Sequence, residues 1–105
     1  MALLGNPFVG NASSKQLSEA ELIQAIRVDI AGELEAIIGY EAHALSTTDQ
    51  RVKKILSHIA DEERQHVGEL QQLLYILSPN DMQQTEKGRQ AITAQQQSNF
   101  QAAMQ

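Results

Sequence analysis

Two stretches of this chain repeat apolar residues in alternating steps of four and three, and each is interrupted at its centre by an ionisable side chain. The first runs Ile26, Ile30, Glu33, Ile37, Tyr40, Ala44; the second runs Val52, Leu56, Ile59, Glu63, His66, Leu70, Leu73, Leu77. This spacing keeps one face of an α-helix turned toward a partner. An ionised glutamate in such a face is costly unless it is paired or binds a metal. The intruders here are a Glu on one helix and a Glu-x-x-His on the next, which is half of the ligand set of a di-iron carboxylate site in a helical bundle. One chain holds one half, so a second copy is expected to supply the other.

The length of 105 residues allows one small domain. A pair of long helices cannot enclose a core of its own, so association is the expected route to stability. With no cysteine, disulfides, thiolate zinc sites and iron–sulfur clusters are excluded. Any metal must use oxygen and imidazole donors, which suit iron, manganese or zinc. The net charge of −5 argues against nucleic acid as a partner, because phosphate contacts need clustered Lys and Arg. Lys53 and Lys54 read as a solvated helix start. No apolar run reaches membrane-spanning length, and the opening residues lack the basic segment of a signal peptide. A cytoplasmic protein is the default expectation.

Residues 1–17 read as an irregular arm, broken by Gly5, Pro7 and Gly10 and carrying the apolar Leu3, Leu4, Phe8 and Val9. Residues 18–78 read as an antiparallel helical hairpin. Ser18-Glu-Ala-Glu21 is a capping box that opens the first helix, expected to end near Leu45. Ser46-Thr-Thr-Asp49 is a short link that can cap the second, which Ser78-Pro79 stops near Leu77. Residues 79–105, rich in Gln and interrupted by Gly88, read as a short accessory helix or tail with a thin apolar face. The expected fold class is all-α, with the hairpin dimerising into a four-helix bundle.

Within the second motif, only Glu63 and His66 fall in register with Ile59 and Leu70; Asp61, Glu62, Arg64 and Gln65 rotate away toward solvent. An antiparallel hairpin sets mid-helix Glu33 opposite Glu63. Two hairpins would present four carboxylates, enough to neutralise two divalent irons, with one His completing each. Tyr40, two turns after Glu33, is a candidate hydrogen-bond donor to a ligand carboxylate or an ordinary core aromatic. Glu35 and Glu41 lie off the seam as solvated acids, or as an acidic approach that collects cations. His43 and His58 have no carboxylate partner in register and read as surface histidines. The alternative for the whole constellation is a buried polar group that only fixes bundle register.

These residues resemble the encapsulated ferritins, a branch of the ferritin-like superfamily related to rubrerythrin domains. Glu33-Leu34-Glu35-Ala36 with Tyr40 is similar to that family's first-helix motif, and Asp61-Glu62-Glu63-Arg64-Gln65-His66 to its second. The likeness covers roughly residues 22–77. It implies a di-iron ferroxidase site at a dimer interface, with Glu33, Glu63 and His66 of both subunits as ligands and Tyr40 beside them. Zn, Mn or Ca could take the same donors. Glu35 matches an outer metal-gathering position, but a companion acidic position is Gly32 here and a tryptophan position is Gly39. The resemblance also implies dimers assembled into a larger ring, a decamer being the candidate size. The enzyme would be packaged in an encapsulin shell, so the expected place is the interior of a cytoplasmic nanocompartment. Packaging in that family uses a C-terminal peptide, which Asn99 to Gln105 does not resemble. Docking by the N-terminal arm, fusion and a trimmed end all stay open. The expected reaction is oxidation of Fe(II) to Fe(III). A rubrerythrin-like di-iron peroxidase and a non-catalytic helical assembly module are the rival readings.

Overall fold

Local chemistry at three boundaries sets the architecture. The structure, a computed structural model, describes residues 16–105. It contains α1 (Glu19–Leu45), α2 (Gln50–Leu77) and α3 (Pro79–Met104), with no strand among the described residues. The arm read into residues 1–17 lies almost wholly outside the described residues.

Ser18 opens α1 with a complete capping box. Its Oγ accepts from Glu21 N at 3.2 Å, and Glu21 Oε1 accepts from Ser18 N at 3.0 Å. Glu19 and Glu21 add negative charge in the first turn, where the helix dipole favours it. Asp49 caps α2 by accepting from Arg51 N at 2.9 Å and Val52 N at 3.4 Å. Lys53 Nζ then donates to Ala44 O at 2.7 Å, tying the start of α2 to an orphan carbonyl at the end of α1.

The α2–α3 joint is the single residue Ser78. Its backbone leaves the helical region (φ −135°, ψ 88°), because the following proline disfavours the α conformation. Ser78 N donates to Leu74 O at 2.7 Å, closing α2, and its Oγ accepts from Asp81 N at 3.3 Å, opening α3. Asp81 Oδ1 also accepts from Ser78 Oγ at 2.6 Å and from Arg27 Nη2 of α1 at 2.7 Å. These two donors hold the Asp81 carboxyl below the usual aspartate range, Ser78 contributing most.

The α1 seam is as expected, with Ile26, Ile30, Glu33, Ile37, Tyr40 and Ala44 all half-buried. The α2 seam is rotated from the sequence reading. Ala60 and Leu74 are its buried residues, at 1% and 7% exposure, while Val52 and Leu73 lie out at 41% and 39%. A straight helix repeats every 3.6 residues, so a strict seven-residue count drifts around its surface. α2 therefore carries two adjoining apolar stripes. Leu56, Ala60, Glu63, Val67, Leu70 and Leu74 face α1. Ile55, Leu73 and Ile76 are exposed beside them.

α3 is longer than the short helix expected, at 26 residues. It contains no buried residue, so packing does not explain its length. Local terms do: Arg89 donates Nε and Nη2 to Glu86 at 3.0 and 2.6 Å, one turn apart, and Gln, Ala, Lys and Met are good helix formers. Gly88 weakens this helix without breaking it. The molecule measures 62 × 44 × 19 Å, with a radius of gyration of 18.3 Å, against about 13 Å for a compact domain of this length. α1 and α2 thus form a single layer in which, among the described residues, Ala60 and Leu74 are the buried side chains.

Candidate metal centre

Glu33 stands at the middle of α1, and Glu63 and His66 stand one turn apart at the middle of α2. The hairpin turn at residues 46–49 brings the two levels together. Each of the three residues offers a ligand atom, and these atoms lie within 4.8 Å of one another. His66 Nδ1 is 3.3 Å from Glu63 Oε2 and 3.6 Å from Glu33 Oε2. Donors at about 2.0–2.2 Å from one ion stand roughly 3–4 Å apart, so this group is close to the spacing that a first-row metal needs. Two carboxylates and an imidazole fit iron, manganese or zinc.

The centre is graded in exposure. The Glu63 side chain is 17% exposed, Glu33 26% and His66 50%. The carboxylates lie in the seam, and His66 stands at its edge, beside the uncovered stripe of Ile55, Leu73 and Ile76. The cluster is thus walled by its own hairpin on one side and open on the other. Three donors leave a first-row metal short of a full shell.

The remaining candidates stay apart from this group. Tyr40 is half-buried, but the seven residues after Glu33 carry it about 10 Å along the axis. Glu35 is half-buried on α1 and outside the cluster. His43 is exposed in the last turn of α1. His58 Nε2 lies 3.1 Å from Glu62 Oε1 across one exposed helical turn.

One contact was not foreseen. Arg64 does not simply point to solvent: Nη2 donates to Glu41 Oε2 of α1 at 2.8 Å, and Nη1 donates to Asp61 Oδ1 at 2.9 Å. The Glu41 carboxylate foremost, with Asp61, pushes the Arg64 guanidinium pKa up. Opposite charges at 41 and 64 in a known antiparallel register were the available signal, hidden because both positions lie off the apolar seam.

Comparison with known proteins shows the family of the chain. The family described as Ubiquinone biosynthesis protein COQ7 matches residues 20–85, which takes in α1, α2 and the start of α3. The crystal structure of the encapsulated ferritin domain from Pyrococcus furiosus matches with a TM-score of 0.77 at 35% identity, covering 89% of this chain and 94% of that one. The chain belongs to the encapsulated ferritins. This encapsulated ferritin is also 38% identical over 74 residues to the encapsulin nanocompartment cargo protein EncC of Myxococcus xanthus, a match covering 70% of this chain and 56% of the cargo protein. It is 37% identical over 87 residues to the ferritin-like-encapsulin shell fusion protein of Pyrococcus furiosus, covering 83% of this chain and 25% of the fusion. The chain therefore spans little more than half of the first relative and a quarter of the second. Among its described residues, no helix is long and apolar enough to cross a membrane.

Proposed function

We propose that this chain is a ferroxidase, oxidising Fe(II) to Fe(III) at a di-iron site formed between two subunits. The observation that carries the reading is the convergence of Glu33, Glu63 and His66 at the open edge of the hairpin, a half-set of ligands with its unfilled side beside an uncovered apolar stripe. Two such hairpins, packed face to face, bring four carboxylates and two imidazoles to one place. Bound iron supplies the electrons, which pass to dioxygen or peroxide. Glu33 and Glu63 would hold the cations and neutralise their charge. His66 would complete the ligand set through Nδ1, the nitrogen turned toward the carboxylates, leaving Nε2 for a hydrogen bond that fixes the ring. Tyr40, too far along α1 to serve its own Glu33, is assigned to a ligand carboxylate of the facing copy. Glu35 is assigned to an outer position that gathers cations. Kinship to a cargo protein and a shell fusion supports packaging of the dimer, or a ring of dimers, in an encapsulin nanocompartment.

Aerobic Fe(II) titration, followed by Fe(III) absorbance, tests the reading. Wild type should saturate near one di-iron centre per two chains, and His66→Ala and Glu33→Ala should fall to the uncatalysed rate. Equal rates in all three proteins would reduce the cluster to a polar device that sets helix register.

A further inference from the structure

We infer that Arg64 is a positioning residue for the metal centre, holding the axial register of α1 against α2 through Glu41. This rests on the reading of Glu33, Glu63 and His66 as a metal site. The argument starts from geometry. Successive helical residues turn by about 100°, so Arg64 and His66, both neighbours of Glu63, leave α2 on opposite flanks, roughly 160° apart. Arg64 accordingly pairs with Glu41 and Asp61 and with none of the three ligand residues. Any effect it has on the centre must pass through the helices.

The route is short. Arg64 follows ligand Glu63 directly on α2, and Glu41 lies eight residues beyond ligand Glu33 on α1. Both helices are continuous through these positions. The ion pair and the ligand cluster are therefore two cross-links between the same two rods. A slide of one residue is about 1.5 Å, which strains the 2.8 Å guanidinium–carboxylate contact and draws Glu33 away from Glu63 and His66. The Lys53–Ala44 bond and the short link hold the register at the turn, and the Arg27–Asp81 contact holds the far end; between them, away from the ligands, the Arg64–Glu41 ion pair joins α1 to α2. Only Ala60 and Leu74 are buried in the hairpin, and aliphatic contacts are non-directional. Asp61, bonded to the second guanidinium nitrogen at 2.9 Å, holds Arg64 aimed across the layer. Arg64 thus assembles the centre before metal arrives.

The test is Co(II) titration, read by visible absorption, alongside Fe(II) oxidation kinetics. Proteins compared are wild type, Arg64→Ala, Glu41→Ala, their double variant and Glu33→Ala. Exposed ion pairs are modest, so Arg64→Ala should weaken Co(II) binding and raise KM for Fe(II) by about three- to five-fold. The kcat at saturation should stay unchanged. Glu41→Ala should match it, the double variant should be no worse than either single, and the gap should close at about 1 M salt. Wild-type affinity in Arg64→Ala, or additive losses in the double variant, would overturn the inference. Should Arg64→Ala fail to fold by circular dichroism, Glu41→Gln decides: undiminished Co(II) affinity there overturns it equally. Co(II) binding without Fe(II) oxidation in wild type would remove the ferroxidase reading and leave the positioning role to stand or fall on affinity. Wild-type Co(II) binding that survives in Glu33→Ala would remove the metal site and the inference with it.

Discussion

The hairpin and α3 are helices of nearly equal length held by different forces. α1 and α2 pack against each other, bury Ala60 and Leu74, and carry the three residues of the candidate centre. α3 buries nothing; Ile92, Phe100 and Met104 are 58–73% exposed. The hairpin is helical because two amphipathic faces meet. α3 is helical because its residues favour the conformation and its start is capped. Helicity from propensity alone is marginal, so the two regions should respond differently to the same kind of damage.

The largest contrast should come from truncating one apolar side chain in each. Leu74→Ala should destabilise the fold by about 2–4 kcal/mol in urea unfolding, whereas Phe100→Ala should leave the midpoint unchanged within error. A comparable loss from Phe100→Ala would mean that α3 is covered in solution. Next comes Gly88, where an added Cβ would meet nothing within 4 Å. Gly88→Ala should raise the helical circular-dichroism signal and stabilise α3 by about 1 kcal/mol, while Co(II) affinity stays at wild type. A change in affinity would show that α3 and the centre are coupled. The smallest effect belongs to the turn. Arg51, through its side-chain hydrogen bond above all, holds the Asp49 carboxyl below its ordinary pKa. A depressed carboxylate stabilises the fold above its unfolded pKa and loses that contribution as pH falls through the folded value. Wild type should therefore lose more stability than Asp49→Asn as pH drops below about 4, seen as converging melting temperatures. Parallel curves would mean that the Asp49 cap does not report on hairpin stability.

Much of this was legible in the residues. Ser18, Asp49 and Ser78-Pro79 announced the helix ends because capping is local chemistry. Glu33, Glu63 and His66 stood out because charge in an apolar register is conspicuous. The rotation of α2 was not legible: Ala60 is too small to mark a seam, and Leu73 and Leu74 are adjacent leucines that only a partner's position can separate. The length of α3 was hidden because a weak apolar face argues against packing, and packing is not what forms it. Arg64 was hidden because a charged residue off the seam looks the same whether it meets water or Glu41.

The single-residue joint at Ser78 has a mechanical consequence. A helix of 26 residues is a rod about 39 Å long, and this one is joined to α2 through one residue. A tilt of about 10° at that pivot sweeps the far tip through roughly 7 Å over such a length. The contact from Arg27 to Asp81 bears on the rod about 4.5 Å from the fulcrum, where a restoring force has its poorest leverage. The same bond that places the first turn of α3 firmly therefore governs its last turn only weakly. A surface that gripped the tip near Phe100 would set the angle of the arm with far less force than the clasp at its base.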